Sequence, residues 1–505
     1  MEFIYSHSLS TILILLSLAA VSIAIFDMKE DRARHISLAT SILVLLITLK
    51  QYFGLFNPEN TNPQLAESYH WLGPINFSVA VDGLSFSMVL LTAILLPCVI
   101  IASKPIAQKR QPRLYYTLLL ILSVAVMAVF MAKDMFLFFL AWELELIPMY
   151  FLIAIWGSKN RNYASMKFLL YTFAAGIALL LGIFWLLAAT GFSSFDMVEI
   201  SKLTATLSDT TQMGIFLLFA TCFLIKLPSI PFHTWLPDAH VEAPTPVSML
   251  LAGILLKMGC YGLIRFGLDF FPDVIVKLAP ALAILGAANI IYAAYTALIQ
   301  TDLKKVIAYS SISHMGFILL GLASLNTAGY SGAVFQMFSH GLISAALFMI
   351  VGMLYERTHT REIEELGGLA KVMPTTFYLF VLAAMANLAL PGLSGFVGES
   401  LIFYGVFSAD SPASGFDPVK ISAAVSALGV ILTAAYMLWV NQRVFYGEIK
   451  DKWLKLTDAR GSELTVLGVL LGLSIVYGLY PSFINNIYEA QLDTLAYINT
   501  KFIIS

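Results

Sequence analysis

The feature that most constrains this chain is a succession of long apolar stretches separated by short polar connections. A helix needs about 20 mainly apolar residues to cross the hydrocarbon core of a bilayer. The sequence therefore predicts an all-α integral membrane protein of about fourteen transmembrane helices. The apolar stretches are residues 8–26, 36–56, 84–103, 114–132, 134–155, 162–189, 212–236, 247–267, 273–299, 305–324, 328–353, 373–407, 419–445 and 463–485.

Composition supports a membrane location. Only 12% of the residues are Asp, Glu, Lys or Arg, and 59% are hydrophobic, whereas soluble domains carry about 25% charged residues. Most of the Lys and Arg residues fall in alternate loops, beginning with the first, so the positive-inside rule places both termini on the outer face. The net charge of -2 argues against a nucleic-acid partner.

The residues that usually hold cofactors do not form recognisable motifs. The cysteines lie apart in apolar stretches at Cys98, Cys222 and Cys260, whereas iron–sulfur sites need clustered ligands. The sequence has no HExxH pair and no glycine-rich nucleotide loop. We therefore expect no redox cofactor, nucleotide or metal ion in this chain.

Proline interrupts two of the predicted helices. The seventh contains the stretch from Lys226 to Pro231, and the twelfth contains Pro391-Gly392. Because proline removes a backbone hydrogen bond and clashes with the preceding turn, both helices should be discontinuous. Broken helices in matching positions are typical of transport sites near the middle of the membrane. The alternative is that two unrelated prolines kink two helices.

The spacing of these breaks predicts two inverted repeats of five helices each, because an odd number of spans reverses the second repeat. The predicted segments are residues 1–110 for helices 1–3 with an outer-face loop, 111–268 for the first repeat, 269–446 for the second, and 447–505 for a loop and helix 14. Within the outer-face loop, alternating apolar residues at 75, 77, 79 and 81 predict a short strand.

Four charged residues lie deep in the predicted helices. Each costs about 2.5–3.5 kcal/mol at the centre of a bilayer on insertion scales, so each should face protein or water and have a partner. Burial favours the neutral form of lysine, and a nearby carboxylate restores its charge. A carboxylate that moves towards or away from a lysine would thus move a proton. These residues are Glu143, Lys226, Lys257 and Glu399.

The alternative role for these charges is that of fixed ion pairs that hold helices together. Glu145 lies two residues after Glu143, about 200° around a regular helix. We therefore expect only one of the two to face a given partner, and Glu145 to face a neighbouring helix or subunit.

Two histidines also lie inside apolar helices, His314 and His340. Because imidazole exchanges a proton near neutral pH, both suit a relay between Lys257 and Glu399. A simpler role for either histidine is hydrogen-bonded packing. Lys304 and Lys305 lie at the inner mouth of the tenth helix. Most such residues anchor topology, and the alternative is that one of them bridges to the proton path.

Several motifs resemble chain M (chain 4) of NADH–quinone oxidoreductase, an antiporter-like subunit of respiratory complex I. The resemblance extends from about residue 75 to 445. The motifs are Trp142-Glu143-Leu-Glu145-Leu-Ile-Pro148, Lys226-Leu-Pro228, His233-Thr-Trp235-Leu-Pro237-Asp238-Ala-His240, Leu251-Ala-Gly-Ile-Leu-Leu-Lys257 and Thr301-Asp302-Leu-Lys304-Lys305 through His314.

The resemblance implies a proton-translocating subunit of the membrane arm of a quinone oxidoreductase. It implies that Glu143 and Lys226 pair near the inner entrance, that Lys257 is the central relay, and that Glu399 leads to the outer face. The sister subunits carry lysine at the last position, so Glu399 favours chain M.

The resemblance also implies partners, which are the sister antiporter-like subunits and the quinone-site module. Those partners would bind NAD(P)H or ferredoxin, FMN or iron–sulfur clusters, and quinone. Some motifs also resemble the photosynthetic version of the complex, so both a bacterial inner membrane and a cyanobacterial thylakoid membrane fit. The electron donor stays open.

Two other classes of function remain possible from the sequence. A subunit of a multi-subunit Na⁺/H⁺ antiporter is built from similar chains without a redox partner. A purely scaffolding membrane protein would use the buried charges only to pack helices. Co-purification with quinone-site subunits distinguishes a quinone oxidoreductase subunit from an antiporter subunit. Neutral substitutions of Glu143 or Lys226 distinguish transport, in which assembly is kept and pumping is lost, from scaffolding, in which assembly is lost.

Overall fold

The computed structural model describes residues 7–192, 194–409 and 417–504, with side chains up to residue 499. The first half contains a two-stranded hairpin among helices. Its elements are α1 (Ser8–Ile25), α2 (Glu30–Gly54), β1 (Gln64–Leu72), β2 (Ile75–Val81), α3 (Gly83–Ala102), α4 (Lys104–Ala107), α5 (Pro112–Met131), α6 (Met135–Leu144), α7 (Leu146–Trp156), α8 (Arg161–Ala189), α9 (Met197–Thr204) and α10 (Asp209–Lys226).

The second half is helical throughout its described elements. These are α11 (Trp235–Glu242), α12 (Thr245–Phe270), α13 (Pro272–Leu298), α14 (Leu303–Ala323), α15 (Thr327–Thr358), α16 (Pro374–Asn387), α17 (Ser394–Ser408), α18 (Pro418–Phe445), α19 (Ser462–Leu479) and α20 (Ser482–Ile504). Many helices begin at an Asp, Asn or Ser whose side chain accepts backbone N–H groups of the first turn, as at Asp134 and Asp302.

The described residues contain 13 helices, or pairs of consecutive helices, that are long and apolar enough to cross a membrane. The remaining predicted span is the twelfth, which the structure divides into α16 and α17. The seventh is likewise divided, since α10 ends at Lys226 and α11 begins at Trp235. The expected fold of about fourteen spans with discontinuous helices 7 and 12 is therefore confirmed.

The expected strand near residues 75–81 is one arm of an antiparallel hairpin. Glu67 pairs with Val79 and Ser68 with Ser78 across β1 and β2. The Glu67 carboxylate turns away from the sheet and accepts a hydrogen bond from the backbone N–H of Leu9 at 2.8 Å. A buried acid thereby satisfies the N-terminal end of α1 and ties the hairpin to the first helix.

The fifth span, Met135–Trp156, has the predicted length, with one irregular residue, Glu145, between α6 and α7. Pro148 has no N–H to donate to the carbonyl of Leu144 four residues earlier, so one helical hydrogen bond is missing there. One boundary differs from the prediction. The last span, 463–485, ends early at Leu479, and Pro481 precedes a further helix, α20, for which the sequence analysis made no prediction.

The described residues form two compact units. The first contains residues up to Leu227, Ile254–Leu278 and the chain from Asn486 onward, and the second contains Pro228–Gly253 and Ala279–Asn485. These units are defined by packing and do not test the four predicted segments, 1–110, 111–268, 269–446 and 447–505. That division stays a prediction.

Close approach at glycine holds neighbouring helices together within the second unit. A Cβ on Gly316 of α14 would lie 2.6 Å from the Gly286 carbonyl of α13, and one on Gly332 of α15 would lie 2.7 Å from the Ile402 nitrogen of α17. Small residues are typical of membrane helix interfaces, because they allow backbones to approach. This packing brings α14, α15 and α17 together around the second group of buried polar residues.

Candidate functional site

The first group of buried charges lies where α10 ends. Lys226 is the last residue of α10 and is fully buried. Its Nζ donates to Oε1 of Glu145, which is also fully buried and lies at the break between α6 and α7. The same Nζ lies 5.7 Å from the ring centroids of Trp142 and Phe168. The cation is therefore held by one carboxylate and two aromatic faces.

The pairing of carboxylates differs from the expectation. We expected Glu143 to pair with Lys226 and Glu145 to face elsewhere, but the hydrogen bond comes from Lys226 to Glu145. In the described residues, Oε1 of Glu143 is buried and has no hydrogen-bond partner. It lies against Gly176 of α8, within electrostatic range of Lys226.

The 200° separation indicates that the two carboxylates do not share one contact, and it does not decide which of them reaches the lysine. The backbone at Glu145 keeps helical dihedral angles, φ -68° and ψ -24°, and its side chain is the one that contacts Lys226. Two carboxylates thus flank one lysine, one in contact and one nearby without a hydrogen bond. The arrangement can exchange the lysine's partner without moving a helix.

Lys257 belongs to the same unit and is fully buried in α12. The α-helical turns around it are preceded by a π-helical segment at Leu251–Leu255 and followed by another at Arg265–Phe270. Gly259 packs against the end of α10, where an added Cβ would lie 2.7 Å from the Leu227 nitrogen. This close approach brings the helix of Lys257 against the last turn of α10.

The second group contains His314, His340 and Glu399, all buried. His314 Nδ1 lies 3.3 Å from Oε1 of Glu399, and the two imidazole ring centroids are 5.4 Å apart. Glu399 lies in the second turn of α17, just after the break in the twelfth span. The structure therefore brings three of the predicted residues together in one place.

Two neutral amides complete the second group, and the sequence analysis missed both. Gln336 of α15 donates from Nε2 to His314 Nδ1 at 3.2 Å, and His314 Nε2 lies 3.2 Å from Oδ1 of Asn387 at the end of α16. Both amides are buried. Their position in otherwise apolar helices could have identified them, because a buried polar side chain requires a hydrogen-bond partner.

A small cavity adjoins this group. The volume that the centre of a water molecule can occupy in it is about 10 Å³, which is roughly enough for one water molecule. In the described residues, Oε1 of Gln336 and Nδ2 of Asn387 are buried without a hydrogen-bond partner. The cavity is lined by His314, Gln336, His340, Ile343, Ala386, Asn387 and Gly395.

A third cluster of charges, also missed, surrounds Asp82 at the start of α3. Arg265 Nη2 lies 2.6 Å from Oδ2 of Asp82, and Lys133 Nζ lies 2.8 Å from the same oxygen. Burial raises the pKa of Asp82, but the charges of Arg265 and Lys133 outweigh burial and hold that pKa well below its ordinary value. Asp82 also caps α3, so this cluster fixes helix ends.

Lys304 lies at the inner end of α14, where we expected either a topology anchor or a bridge to the proton path. It is buried, and its Nζ donates to the backbone carbonyl of Ala243 at 2.6 Å, just after the end of α11. Lys305 is partly exposed. A cation at the C-terminal end of a helix is favourable, because it meets the unsatisfied carbonyls of the last turn.

Comparison with known families places these residues in context. Residues 132–415 match the family model described as "NADH:quinone oxidoreductase/Mrp antiporter, TM", and residues 35–132 match "NADH-ubiquinone oxidoreductase chain 4, amino terminus". The chain belongs to this family. Its match to the amino-terminal model, in particular, agrees with the resemblance to chain 4 that the motifs carry.

Named relatives of this family member come from cyanobacteria. NAD(P)H-quinone oxidoreductase chain 4 3 of Trichormus variabilis is 44% identical over 97% of this chain and 91% of its own length. NAD(P)H-quinone oxidoreductase chain 4 1 of Synechococcus elongatus is 45% identical over the same shares. The family member is thus similar to chain 4 proteins along nearly its whole length.

Solved structures extend the similarity to the fold. A chain of respiratory complex I from Thermus thermophilus with bound NADH superposes with a TM-score of 0.85 at 26% identity, covering 97% of this chain and 99% of that one. A chain of the Mrp complex from Dietzia sp. gives a TM-score of 0.86 at 19% identity, covering 99% of both chains. The second likeness concerns the fold alone. The family member is accordingly a multi-pass membrane protein.

Proposed function

We propose that this chain is a proton-translocating subunit of the membrane arm of an NAD(P)H (or ferredoxin):quinone oxidoreductase. Protons move through its buried Glu, Lys and His residues, while the redox chemistry takes place in other subunits. The proposal is supported by the family, by the 44% identity to a NAD(P)H-quinone oxidoreductase chain 4 over 97% of the chain, and by the buried groups described above.

The observation that carries the proposal is the buried contact between Lys226 and Glu145, with Glu143 nearby. A lysine cation at this depth depends on a carboxylate, because burial otherwise favours the neutral amine. When the carboxylate in contact moves away or takes up a proton, Nζ releases its own proton. When a carboxylate returns, the amine takes up another. When the Lys226 amine exchanges one carboxylate partner for the other, it therefore passes through a cycle of proton release and uptake.

The remaining site residues extend this chemistry. We propose Lys257 as the relay of the first group, because it is fully buried on a helix packed against the end of α10. In the second group, we propose His340 and His314 as the relay and Glu399 as the outlet. Imidazole suits this role, since it gains and loses a proton near neutral pH.

The proposal includes partners and a location. We propose that the chain assembles with sister antiporter-like subunits and with a quinone-site module in a bacterial inner membrane or a cyanobacterial thylakoid membrane. NAD(P)H or ferredoxin, FMN or iron–sulfur clusters, and quinone would be bound by those partners. The identity of the subunits that co-purify in mild detergent tests this part and distinguishes the two electron donors.

A second candidate is a subunit of a multi-subunit Na⁺/H⁺ antiporter, which the shared fold with the Mrp chain favours. Against it stands the match of residues 35–132 to the chain 4 amino-terminal model. Proton pumping that depends on electron transfer to quinone supports the first candidate. Sodium-dependent proton exchange without quinone reduction supports the second.

Neutral substitutions test the main proposal. We expect Glu143→Gln and Lys226→Met to leave the complex assembled and to lower the number of protons pumped per electron in proteoliposomes. Lys277→Met serves as a matched control, because Lys277 pairs with Asp209 and Asp273 on an exposed surface. Full pumping in both site variants would overturn the proposal, and loss of assembly in both would indicate a scaffolding role.

A further inference from the structure

The two amides around His314 contact both nitrogens of its ring. Gln336 Nε2 is 3.2 Å from Nδ1, and Asn387 Oδ1 is 3.2 Å from Nε2. An amide nitrogen only donates hydrogen bonds, and an amide oxygen only accepts them. With the amides oriented in this way, Nδ1 accepts and Nε2 carries the proton. This pair of amides selects the neutral imidazole with its proton on Nε2.

Glu399 makes the opposite demand on the same atom. Its Oε1 lies 3.3 Å from His314 Nδ1, and a carboxylate accepts a hydrogen bond only from a protonated Nδ1. Gln336 and Glu399 therefore compete for Nδ1. The amide stabilises the neutral ring, and the ionised carboxylate stabilises the imidazolium ion.

The packing around Gln336 keeps it in this position. An added Cβ on Gly398, the residue before Glu399, would lie 2.5 Å from Oε1 and 3.1 Å from Cα of Gln336. The side chain is therefore confined between α15 and α17. Its Oε1 is buried without a hydrogen-bond partner in the described residues, and Gln336 lines the cavity that has room for one water.

We propose that Gln336 is a positioning residue that competes with Glu399 for Nδ1 of His314 and so sets when His314 gives up its proton. Asn387 holds the other end of the ring, and one water molecule in the cavity connects the two amides. The inference rests on the proposed function, since it concerns the proton path that function requires.

The proton step balances without any further reactant. A proton arrives at Nδ1 of the neutral ring, the hydrogen bond from the Gln336 amide to Nδ1 is replaced, and the imidazolium ion donates to the Glu399 carboxylate. Transfer of the Nδ1 proton to that carboxylate restores the neutral ring and leaves a carboxylic acid. Gln336 then donates to Nδ1 again, which opposes return of the proton.

Two substitutions test the competition. Gln336→Met keeps the length of the side chain and removes the donor, and Gln336→Glu keeps the shape and replaces the donor with an acceptor. Among the described residues, the titratable groups facing His314 and its partners are His340 from α15, Glu399 from α17 and Tyr436 from α18. Neither substitution of Gln336 changes any of these groups.

The assay is proton pumping by the assembled complex in proteoliposomes, measured across a range of pH. Without the competing donor, Nδ1 of His314 keeps the Glu399 carboxylate as the partner that stabilises the protonated ring. We expect the midpoint of the pumping profile to move towards alkaline pH by about half to one unit in Gln336→Met, the size of one net hydrogen bond. We expect the same direction and a larger shift in Gln336→Glu.

The matched control is Gln212→Met, which removes a buried glutamine that donates to the Leu207 carbonyl in the first unit. We expect its profile to match the wild type. An unchanged midpoint in both Gln336 variants would overturn the inference. Loss of assembly in both, while the Gln212 variant assembles, would also overturn it, because Gln336 would then be a packing residue.

A further variant separates failure of this inference from failure of the proposed function. Glu399→Gln removes the carboxylate while leaving Gln336 in place. Full pumping by this variant would overturn the proposed function itself. Reduced pumping in Glu399→Gln, together with an unchanged midpoint in the Gln336 variants, would overturn only the role of Gln336.

Discussion

Neutralising Glu145 should have a much larger effect on stability than neutralising Glu143. In Glu145→Gln, Lys226 loses the one carboxylate that it contacts among the described residues, while it remains fully buried. Breaking a buried ion pair by removing one partner costs about 3–5 kcal/mol, and Glu143, which lies within electrostatic range without a hydrogen bond, offsets only part of that cost. The two aromatic rings at 5.7 Å already contribute in the wild type and cannot replace the carboxylate.

The magnitude for Glu143→Gln follows from the contacts it lacks. Its Oε1 has no hydrogen-bond partner in the described residues, so the substitution breaks no bond at that atom and should cost less than about 1 kcal/mol. A difference of 3 kcal/mol corresponds to more than a hundredfold in an equilibrium. The contrast between two carboxylates only two residues apart is therefore large enough to measure.

The assay is thermal stability of the assembled complex in mild detergent, combined with the double variant Glu145→Gln/Lys226→Met. We expect Glu145→Gln to be clearly the least stable, and the double variant to recover most of the loss, because it removes the unpaired charge. We expect pumping to stay low in both. Equal stability of the Glu143 and Glu145 variants would refute the assignment of Glu145 as the contacting partner.

Three further substitutions follow from the packing. Gly176→Ala directs a methyl group at the Glu143 carboxylate, so we expect the protons pumped per electron to fall while assembly is kept. Gly259→Ala places a methyl group 2.7 Å from backbone atoms of α10, so we expect a loss of about 1–3 kcal/mol in stability, measured by thermal unfolding. Asp82→Asn removes the carboxylate that Lys133 and Arg265 share, whereas Asp269 still pairs with Arg265. Because Lys133 is then buried without the carboxylate that it contacts, we expect a loss of about 3–5 kcal/mol, measured in the same way.

Controls and pH dependence sharpen these expectations. Gly468→Ala is the matched glycine control, because an added Cβ there meets nothing within 4 Å. The pKa of Asp82 is lower in the folded state than its ordinary value. Its contribution to the free energy of unfolding is therefore fully present above the ordinary aspartate pKa of about 4, and it is lost as the pH falls from there through the folded-state pKa. An Asp82→Asn variant as stable as the wild type at neutral pH would contradict the role of this cluster.

The sequence predicted those features that follow from long patterns. Apolar length predicted the spans, and Pro228 and Pro391 predicted the discontinuous helices 7 and 12. Depth alone identified Lys226 and Lys257 as buried charges, because a charge in the middle of an apolar helix has few alternatives to facing protein. These predictions depend only on the local sequence, so they do not require knowledge of which helices pack together.

Other features depend on contacts that a linear pattern does not contain. Glu145 was assigned away from Lys226, because the 200° between Glu143 and Glu145 does not indicate which of the two carboxylates contacts the lysine. The helix α20 was missed because it is less uniformly apolar than a membrane span. Gln336 and Asn387 carry no charge, so the cost that identified the lysines did not identify them.

The position of Lys226 as the final residue of α10 has a consequence for the energy of turnover. The last turn of a helix presents backbone carbonyls that favour a cation by about 0.3–1 kcal/mol, and more where water is excluded. This bias is built into the main chain and does not move when a side chain does. It offsets part of the cost of burying the charged amine, whichever carboxylate contacts Lys226 at that moment of the cycle.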